Sequence, residues 1–403
     1  MLKPSKIPGY DYQVYDPDDL FPAPAGMVRE KSGHYTMLRL DDDTVISRLS
    51  RVPNNPYKSI ILDYFSPNLS KQFHIGHLRN ILIGDCLTRI LIHCGYSPVL
   101  INHAGDTLQN DPKHMTGFLQ QWNSPMQSGI YRPESSYRND IPPLCGRIGR
   151  LDGQQWVIDG INHPLPLTKS GGTPLYLAND IAALQYRQSD EIWYITDDRQ
   201  SDHFAELSMI NTRYGLTSGK IIHIPYGIIA DKTGKPLKSR DGTALLVSEL
   251  LSTVSAVKPE TLPDSLIQSS IRFAILSVAN RTAIRIDNGN LFSFDGKTAL
   301  YCLYAIARLK AIRGDIGGIV YNPIDRDILF EIGQYSGIVE SAIANYNPAV
   351  IADGLYSLCR AIHKWYGLRK IGGDLSAISI AKKCIEAITI YCGFLGLDIE
   401  DTL

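Results

Sequence analysis

Residues 65–80, FSPNLSKQFHIGHLRN, place two histidines around an Ile-Gly pair directly after a short apolar segment. That segment, SIILDYF (59–65), has the composition of a buried strand, and apolar residues recur at helical spacing from about residue 75 to 94. The order strand, loop, helix puts His74 and His77 at the start of a helix, beyond the carboxyl end of a strand. Open α/β sheets bind ligands at this place, and the free N–H groups of a helix N-terminus attract phosphate.

The chain around this stretch alternates strands with helices. Strands are predicted at 98–102, 191–197 and 221–230, and a helix is predicted at 201–214. Such alternation predicts an α/β fold with a parallel sheet and helices on both of its faces. Residues 107–170, which are rich in Gly, Pro, Gln and Asn, are predicted to be an insertion between the halves of the sheet.

Changes in composition divide the chain into three parts. Residues 1–58, rich in Pro, Gly and Asp, are predicted to form an irregular arm with one or two short strands, around 34–40 and 44–49. Residues 59–243 form the α/β part. Residues 244–403 are predicted to be a separate all-α domain with five or six amphipathic helices, near 244–256, 262–281, 296–313, 324–345, 349–366 and 376–395.

Composition excludes several classes of protein. Hydrophobic residues make up 44% and charged residues 20% of the chain, and the net charge is −1. These values are ordinary for a globular protein and show no overall basic field for nucleic acid. No apolar run is long enough to predict a membrane span, and no signal-peptide segment is visible, so a cytoplasmic location is expected. The seven cysteines are scattered without a CxxC motif, which predicts buried thiols with no disulfide and no zinc site.

A second informative stretch is DKTGKPLKSRDGT (231–243), a loop rich in Gly and Lys between a predicted strand and a predicted helix. Lys232, Lys235, Lys238 and Arg240 are spaced so that they could converge on a polyphosphate. Taken alone, the same loop could equally be a solvated turn.

The two stretches together resemble the signature motifs of class I aminoacyl-tRNA synthetases, and the finer match is to arginyl-tRNA synthetases. Over about residues 59–403, the resemblance continues in the same order through NHAGD (102–106), GGTPLYLANDIAALQYR (171–187), DDRQSDHF (197–204), SFDGKTALYCLYAIARL (293–309) and GFLGLDIEDTL (393–403). It implies a Rossmann-like catalytic domain of the HIGH/KMSKS type at 59–243. It further implies a helical bundle like an anticodon-binding domain at 244–403.

The resemblance also implies a reaction, in which ATP with Mg²⁺ activates L-arginine as arginyl-adenylate before the arginyl group moves to tRNA. Gly76 would lie under the adenine, and Lys71 would compensate for Ser239, which stands where the family's second signature lysine ordinarily lies. The implied ATP-binding residues are His74, Gly76, His77, Lys235, Lys238 and Ser239. The implied catalytic residues are Lys71, His74, His77, Lys238 and Arg240.

Recognition of arginine calls for carboxylates, because a guanidinium group is planar and permanently charged. By resemblance, Tyr176 and Asp180 contact the guanidinium, and their i, i+4 spacing puts both on one helix face. Asp63 takes the place of a family glutamate and is one methylene shorter. The complete implied arginine-binding set is Asp63, Ser66, Asn68, His103, Tyr176, Asp180 and Gln200.

The sequence departs from the family in the parts that handle tRNA. The arm before the first strand is shorter than the family's N-terminal domain, NHAGD continues as TLQND, and Leu303 replaces a customary glutamine. This trimming favours a specialised biosynthetic paralogue, such as the fungal arginine-containing cyclodipeptide synthases, which also draw on a second aminoacyl-tRNA. The alternatives are a compact, ordinary arginyl-tRNA synthetase that is monomeric, as the family suggests, and a non-catalytic tRNA-binding protein. Retention of the implied catalytic residues argues against the last.

Overall fold

The computed structural model describes residues 3–4, 12–15, 27–32, 35–40, 58–67, 72–105, 113–230, 244–285, 290–318 and 322–400 of the 403-residue chain. The strands are β1 (Lys3–Pro4), β2 (Tyr12–Tyr15), β3 (Met27–Ser32), β4 (Tyr35–Leu40), β5 (Ile60–Asp63), β6 (Val99–Asn102), β7 (Ile130–Tyr131), β8 (Arg150–Asp152), β9 (Gln155–Asp159), β10 (Pro164–Pro166), β11 (Glu191–Asp197), β12 (Lys220–Tyr226), β13 (Ile229–Ala230) and β14 (Ile284–Arg285). The helices are α1 (Ile75–His93), α2 (Lys113–Gln121), α3 (Ile141–Ile148), α4 (Tyr176–Leu184), α5 (Ser201–Tyr214), α6 (Val247–Val257), α7 (Ser265–Leu276), α8 (Ala299–Lys310), α9 (Arg326–Gly333), α10 (Tyr335–Ala344), α11 (Ala349–Leu368) and α12 (Leu375–Leu395).

Within the described ranges, a five-stranded sheet in the order β12-β11-β5-β6-β7 forms the centre of the α/β part. Every neighbouring pair is parallel, as the alternation of strands and helices predicted. All four residues of β5 are buried, which is the pattern of a central strand covered on both faces. The edge strand β7 lies inside the segment 107–170, so the predicted insertion also extends the sheet.

Helices cover both faces of this sheet. Ile60 and Leu62 pack into a core with α1, whereas Ile61 packs into a second core with α3, α4 and α5. This division follows the two-residue alternation of side chains along a strand. The carboxyl ends of β5, β6 and β11 therefore open at one edge of the sheet, between two packed layers.

The N-terminal arm differs from its prediction. Its described residues form a four-stranded antiparallel sheet in the order β1-β2-β4-β3, so the expectation of an irregular arm with one or two strands was wrong. The strand predicted around 34–40 is present as β4. The one predicted at 44–49 lies outside the described residues.

The strand predicted at 221–230 is divided in two. Strand β12 ends at Tyr226, and β13 pairs with β14 instead of continuing along the central sheet. The division falls at Gly227, where a Cβ atom would lie 2.6 Å from the backbone oxygen of Arg281. Close approach of two backbones therefore ends the strand.

The helices after residue 244 share one hydrophobic core with α1 and its face of the sheet. Five of the six predicted helices are present within the described residues near their expected bounds. The one predicted at 324–345 is two helices, α9 and α10, which meet at Gln334. Helix α12 is capped by Gly396 in the left-handed conformation, with φ +68°.

All seven cysteines are buried free thiols. Among the described residues, no group of three or more His, Cys, Asp or Glu side chains is placed to hold a metal ion. The helices in the described ranges include none long and apolar enough to cross a membrane.

Candidate active site

The two histidines of the opening stretch form the N-terminal cap of α1. The Nδ1 atom of His74 accepts a hydrogen bond from the backbone N–H of Gly76 at 3.0 Å, and the backbone N–H of His74 donates to Nδ1 of His77 at 3.2 Å. The two rings stack with centroids 3.8 Å apart. Because each Nδ1 accepts, each neutral imidazole carries its proton on Nε2. The helix N-terminus thus presents two N–H donors from half-buried side chains, which suits an anionic phosphate.

Packing against His74 explains a glycine at position 76, in addition to the predicted contact with adenine. A Cβ atom at this position would lie 2.8 Å from Cε1 and 3.0 Å from Nδ1 of His74. A larger residue would therefore displace the His74 ring from its capping position. This contact does not test the prediction that adenine lies over Gly76.

The second signature stretch, 231–243, lies outside the described residues, and with it Lys235, Lys238, Ser239 and Arg240; Asn68 and Lys71 lie outside as well. The residues that follow this stretch are described. The backbone N–H of Ile75 donates to Leu245 at 2.9 Å, and the backbone N–H of Val247 donates to Phe73 at 3.0 Å. Leu245 and Val247, which follow the lysine-rich stretch, therefore pair with the residues on either side of His74.

Asp180, predicted to bind the guanidinium group of arginine, lies among histidines. Its Oδ2 atom is 2.7 Å from Nε2 of His203, and its Oδ1 atom is 3.6 Å from Nδ1 of His103. Burial would raise the pKa of Asp180, but the hydrogen bond to His203 and the charge of His103 hold that pKa below its ordinary value. Conversely, burial would lower the pKa of His203, but Asp180 raises it above its ordinary value. His203 belongs to the DDRQSDHF stretch but was not among the predicted site residues.

Asp63 is paired with a residue that the sequence analysis did not single out. Its carboxylate lies 2.5 Å from the guanidinium of Arg187, and their side chains are 6% and 1% exposed. Arg187 also donates to the hydroxyl of Tyr194. Ser66 donates to the other carboxylate oxygen of Asp63 at 2.9 Å and accepts from the backbone N–H of His103 at 3.1 Å. Asp63 thus binds a guanidinium group of the chain itself. Its contact with the substrate stays a prediction.

A cavity of about 330 Å³ adjoins this network, a volume typical of small-ligand pockets. It is lined by the predicted residues Ser66 and Tyr176, and also by Glu134 and Asn179. Tyr176 is 71% exposed, so its phenol is open to a ligand. The amide of Asn179 donates to the carboxylate of Glu134 at 3.3 Å.

Glu134 is a site residue that the sequence analysis missed. It follows β7 at the carboxyl edge of the sheet, and the only sequence signal for it was an acidic residue after a strand too short to recognise. Gln200, which was predicted, is exposed directly before α5, in the turn preceding His203. The structure therefore brings Asp63, Ser66, His103 and Asp180 into one network, with Tyr176 in the adjoining cavity.

Comparison with known proteins gives a consistent assignment. The family of class I tRNA synthetase (R) catalytic domains matches residues 44–110 and 150–262, which include both signature stretches. The arginine–tRNA ligase of Acanthamoeba polyphaga mimivirus is 24% identical over 420 residues, covering 78% of this chain and 70% of its own length. That of Rippkaea orientalis is 26% identical over 451 residues, covering 82% and 76%.

Solved structures agree in fold. The Thermus thermophilus arginyl-tRNA synthetase matches with a TM-score of 0.78 and 18% identity, covering 100% of this chain and 96% of that one. The Plasmodium falciparum enzyme matches with a TM-score of 0.74 and 17% identity, covering 94% and 87%. At these identities the likeness establishes the class I synthetase fold.

Proposed function

We propose that the chain activates L-arginine with ATP and transfers the arginyl group to tRNA. Two findings support this: residues 44–110 and 150–262 match the class I tRNA synthetase (R) catalytic domain, and the similar proteins described above are arginine–tRNA ligases. The observation that carries this proposal is the arrangement at one edge of the parallel sheet. There, His74 and His77 cap a helix N-terminus of the kind that binds phosphate. The same domain carries the acidic network around Asp180 and the cavity that Tyr176 lines.

The proposed first step is attack by a carboxylate oxygen of arginine on the α-phosphorus of ATP. The bond from that phosphorus to the oxygen bridging the α- and β-phosphates breaks, and pyrophosphate leaves. The Nε2–H groups of His74 and His77 donate to phosphate oxygens and stabilise the charge that develops there. This chemistry needs mainly positioning and electrostatic stabilisation, which fits a site of fixed donors.

The lysine-rich stretch would hold the leaving pyrophosphate. The pairing of Leu245 and Val247, after the stretch, with Ile75 and Phe73 supports this role. The residues to which we assign it are Lys235, Lys238, Ser239 and Arg240, and Lys71 would act with them. The described residues offer no acidic cluster for a metal ion. We therefore assign Mg²⁺ to the phosphates of ATP rather than to a protein site.

For the amino acid, the proposed guanidinium ligands are Asp180, Tyr176 and Glu134. A guanidinium has N–H donors on several sides, and two carboxylates with a phenol oxygen supply acceptors for it. Asp63 is paired with Arg187 and Ser66, so its predicted contact with arginine would be made together with these two residues. Ser66, Asn68, His103 and Gln200 would hold the backbone end of arginine or add further contacts.

For the second step, the proposed partner is an arginine-accepting tRNA, contacted in part by the helices of 244–403, in a cytoplasmic monomer. A division between catalytic and anticodon-binding-like domains near residue 243 belongs to the same proposal. The shared core of α1 with those helices would couple the two parts mechanically.

A second candidate is a paralogue that passes arginine into a small product such as a cyclic dipeptide. It rests on the sequence departures from the family's tRNA-handling parts. The relatives described above are named as tRNA ligases, which favours the synthetase.

One incubation separates these candidates. Purified protein is mixed with ATP, arginine, total tRNA and aminoacyl-tRNAs, and mass spectrometry measures both charged tRNA and free small products. Arginyl-tRNA as the sole product supports the synthetase, whereas a free arginyl dipeptide supports the biosynthetic paralogue. Absence of both, without pyrophosphate release, would refute activation of arginine altogether.

A further inference from the structure

Arg79 lies in the second turn of α1, and in the described part of the chain both of its terminal nitrogens donate to backbone carbonyl groups. One terminal nitrogen donates to the carbonyl oxygens of Gly227 at 2.6 Å and Ile228 at 3.1 Å. The other donates to Asn280 at 2.7 Å, Thr282 at 2.9 Å and Ala279 at 3.3 Å. Arg79 is only 1% exposed, so these five carbonyl groups replace water around a buried cation.

The five carbonyls come from two segments that meet at one place, which we name the junction: residues 227–230 and 279–285. Here the backbone N–H of Gly227 donates to Asn280 at 2.8 Å, and that of Ile284 donates to Ile228 at 3.0 Å. Strands β13 and β14 then run parallel to each other. The junction is therefore a compact backbone assembly with the guanidinium of Arg79 bound to its carbonyls.

The position of the junction in the chain gives Arg79 its significance. Residues 227–230 are the last described residues before the lysine-rich stretch, and residues 245–247 after that stretch pair with Phe73 and Ile75. The first two turns of α1, together with Phe73 two residues before the helix, therefore contact both flanks of the stretch. The same turns carry His74 and His77, so the flanks and the histidines share one rigid support.

An arginine suits this task better than a lysine. Its planar guanidinium offers donors in a fixed fork, so it can serve acceptors from two segments at once, whereas an ammonium group is a point charge on a flexible stem. Burial lowers the pKa of Arg79 to about 10, which still leaves the group charged at neutral pH.

We propose that Arg79 is a positioning residue of the nucleotide site, which fixes the junction relative to His74 and His77 without touching ATP or arginine. This inference rests on the proposed function, because it takes the two histidines as phosphate ligands. It predicts that the rate of adenylate formation depends on Arg79 although binding of arginine does not.

The test compares Arg79→Lys and Arg79→Met with Arg89→Met. Arg89 lies on the same helix, far from the junction, and donates to the backbone oxygen of Asn123. Two readouts are used: arginine-dependent pyrophosphate exchange, and hydrogen–deuterium exchange of peptides covering 226–230, 244–247 and 279–285. Arg79→Lys guards against a fold lost in Arg79→Met, since it keeps the buried charge and some donors.

We expect kcat for pyrophosphate exchange to fall at least ten-fold in Arg79→Met and partly recover in Arg79→Lys. The KM for arginine should stay within about two-fold, and hydrogen exchange should rise in the three peptides alone. Arg89→Met should keep the wild-type kcat. A uniform rise in hydrogen exchange, or an unchanged kcat in a folded Arg79→Met protein, would overturn the positioning role. If the wild-type protein lacks pyrophosphate exchange both with and without tRNA, the proposed function fails, and with it the catalytic part of this inference. The hydrogen-exchange pattern then still decides whether Arg79 fixes the junction.

Discussion

Asp180 is the side chain to which we assign the main part in recognition of arginine. It is held by His203 at 2.7 Å and faces His103 at 3.6 Å, and these neighbours keep its carboxylate ionised. An ionised carboxylate beside a cavity favours a cationic side chain. The predicted pairing of Tyr176 with Asp180 on one helix face agrees with helix α4, which starts at Tyr176.

We expect Asp180→Asn to raise the KM for arginine roughly 10- to 100-fold with a smaller effect on kcat, because a hydrogen bond to a charged group contributes about 1.5–3 kcal/mol. Aminoacylation kinetics with arginine, ornithine and citrulline measure this effect. Asp159→Asn is the matched control, because its carboxylate is exposed and forms only a surface pair with Arg150. An unaltered preference for arginine in Asp180→Asn would remove this residue from the recognition site.

The contact between His203 and Asp180 predicts that arginine binding depends on pH. The raised pKa of His203 means that the ring stays protonated to a higher pH than an ordinary histidine, whose pKa is about 6.5. Protonated His203 competes with the substrate guanidinium for Asp180, whereas the lowered pKa of Asp180 keeps that carboxylate ionised throughout. The KM for arginine should therefore fall as the pH rises through the pKa of His203.

The KM for arginine measured between pH 6 and pH 8.5 checks this expectation. In His203→Gln the fall should be smaller, with any remainder owed to His103, which also faces Asp180. An equal slope in the wild-type and His203→Gln proteins would show that His203 does not compete for the carboxylate.

Single side chains were the least predictable level of the structure. Tyr176, Asp180 and Ser66 could be named because each lies in a contiguous motif. Arg187 closes the same motif as Tyr176, but its pairing with Asp63 depends on strand β5 lying beside β11, and no local pattern encodes that. Glu134 was missed because β7 has only two residues.

At the scale of elements, the first turn of α1 has the most consequences. Its cap is built from the two histidines to which we assign phosphate binding. The geometry of the cap therefore also fixes the positions of the two Nε2–H donors. A Cβ atom at residue 76 would meet the His74 ring, so a substitution there would alter both the cap and the donor.

We expect Gly76→Ala to lower kcat for pyrophosphate exchange on the order of 10-fold or more, because the new Cβ displaces the His74 ring and its Nε2–H donor. Gly117→Ala in α2 is the control, since a Cβ there meets nothing within 4 Å. That change should leave kcat unaltered and add about 0.5–1 kcal/mol to the free energy of unfolding. A fully active Gly76→Ala enzyme would refute the assigned role of His74.

Elements with strong local patterns were predicted well. Strand β11 and helix α5 have their predicted bounds, because a continuous apolar strand is followed by Asp197 and the turn before α5. The arm was predicted poorly because antiparallel pairing of short polar strands leaves little periodicity. The break at Gln334 also escaped prediction, since apolar spacing continues across it.

At the scale of the whole molecule, arginine side chains lie where α1 packs against the helices of residues 244–403. Arg272 of α7 is 3% exposed, donates to the backbone oxygen of Trp122 and lies over its ring at 5.2 Å. At Gly396, the end of α12, a Cβ atom would lie 2.9 Å from Arg272 and 3.0 Å from Arg89. Three elements that are distant in sequence therefore meet around two guanidinium groups.

We expect Gly396→Ala to destabilise the protein by about 2–3 kcal/mol, because it adds displacement of the two arginines to the strain of a positive φ. Gly373→Ala is the control: its φ is +78°, and a Cβ there meets nothing within 4 Å. That variant should lose only about 1 kcal/mol. Urea unfolding curves of both variants measure the difference, and equal losses would contradict the packing role of Gly396.

We propose that this chain activates arginine with ATP. The most direct test of this proposal is isotope exchange between pyrophosphate and ATP, with arginine or citrulline, in the presence and absence of tRNA. The account predicts exchange that requires arginine, is not supported by citrulline, and is weakened in Asp180→Asn through a raised KM. Exchange that ignores the identity of the amino acid, or none under any of these conditions, would contradict it.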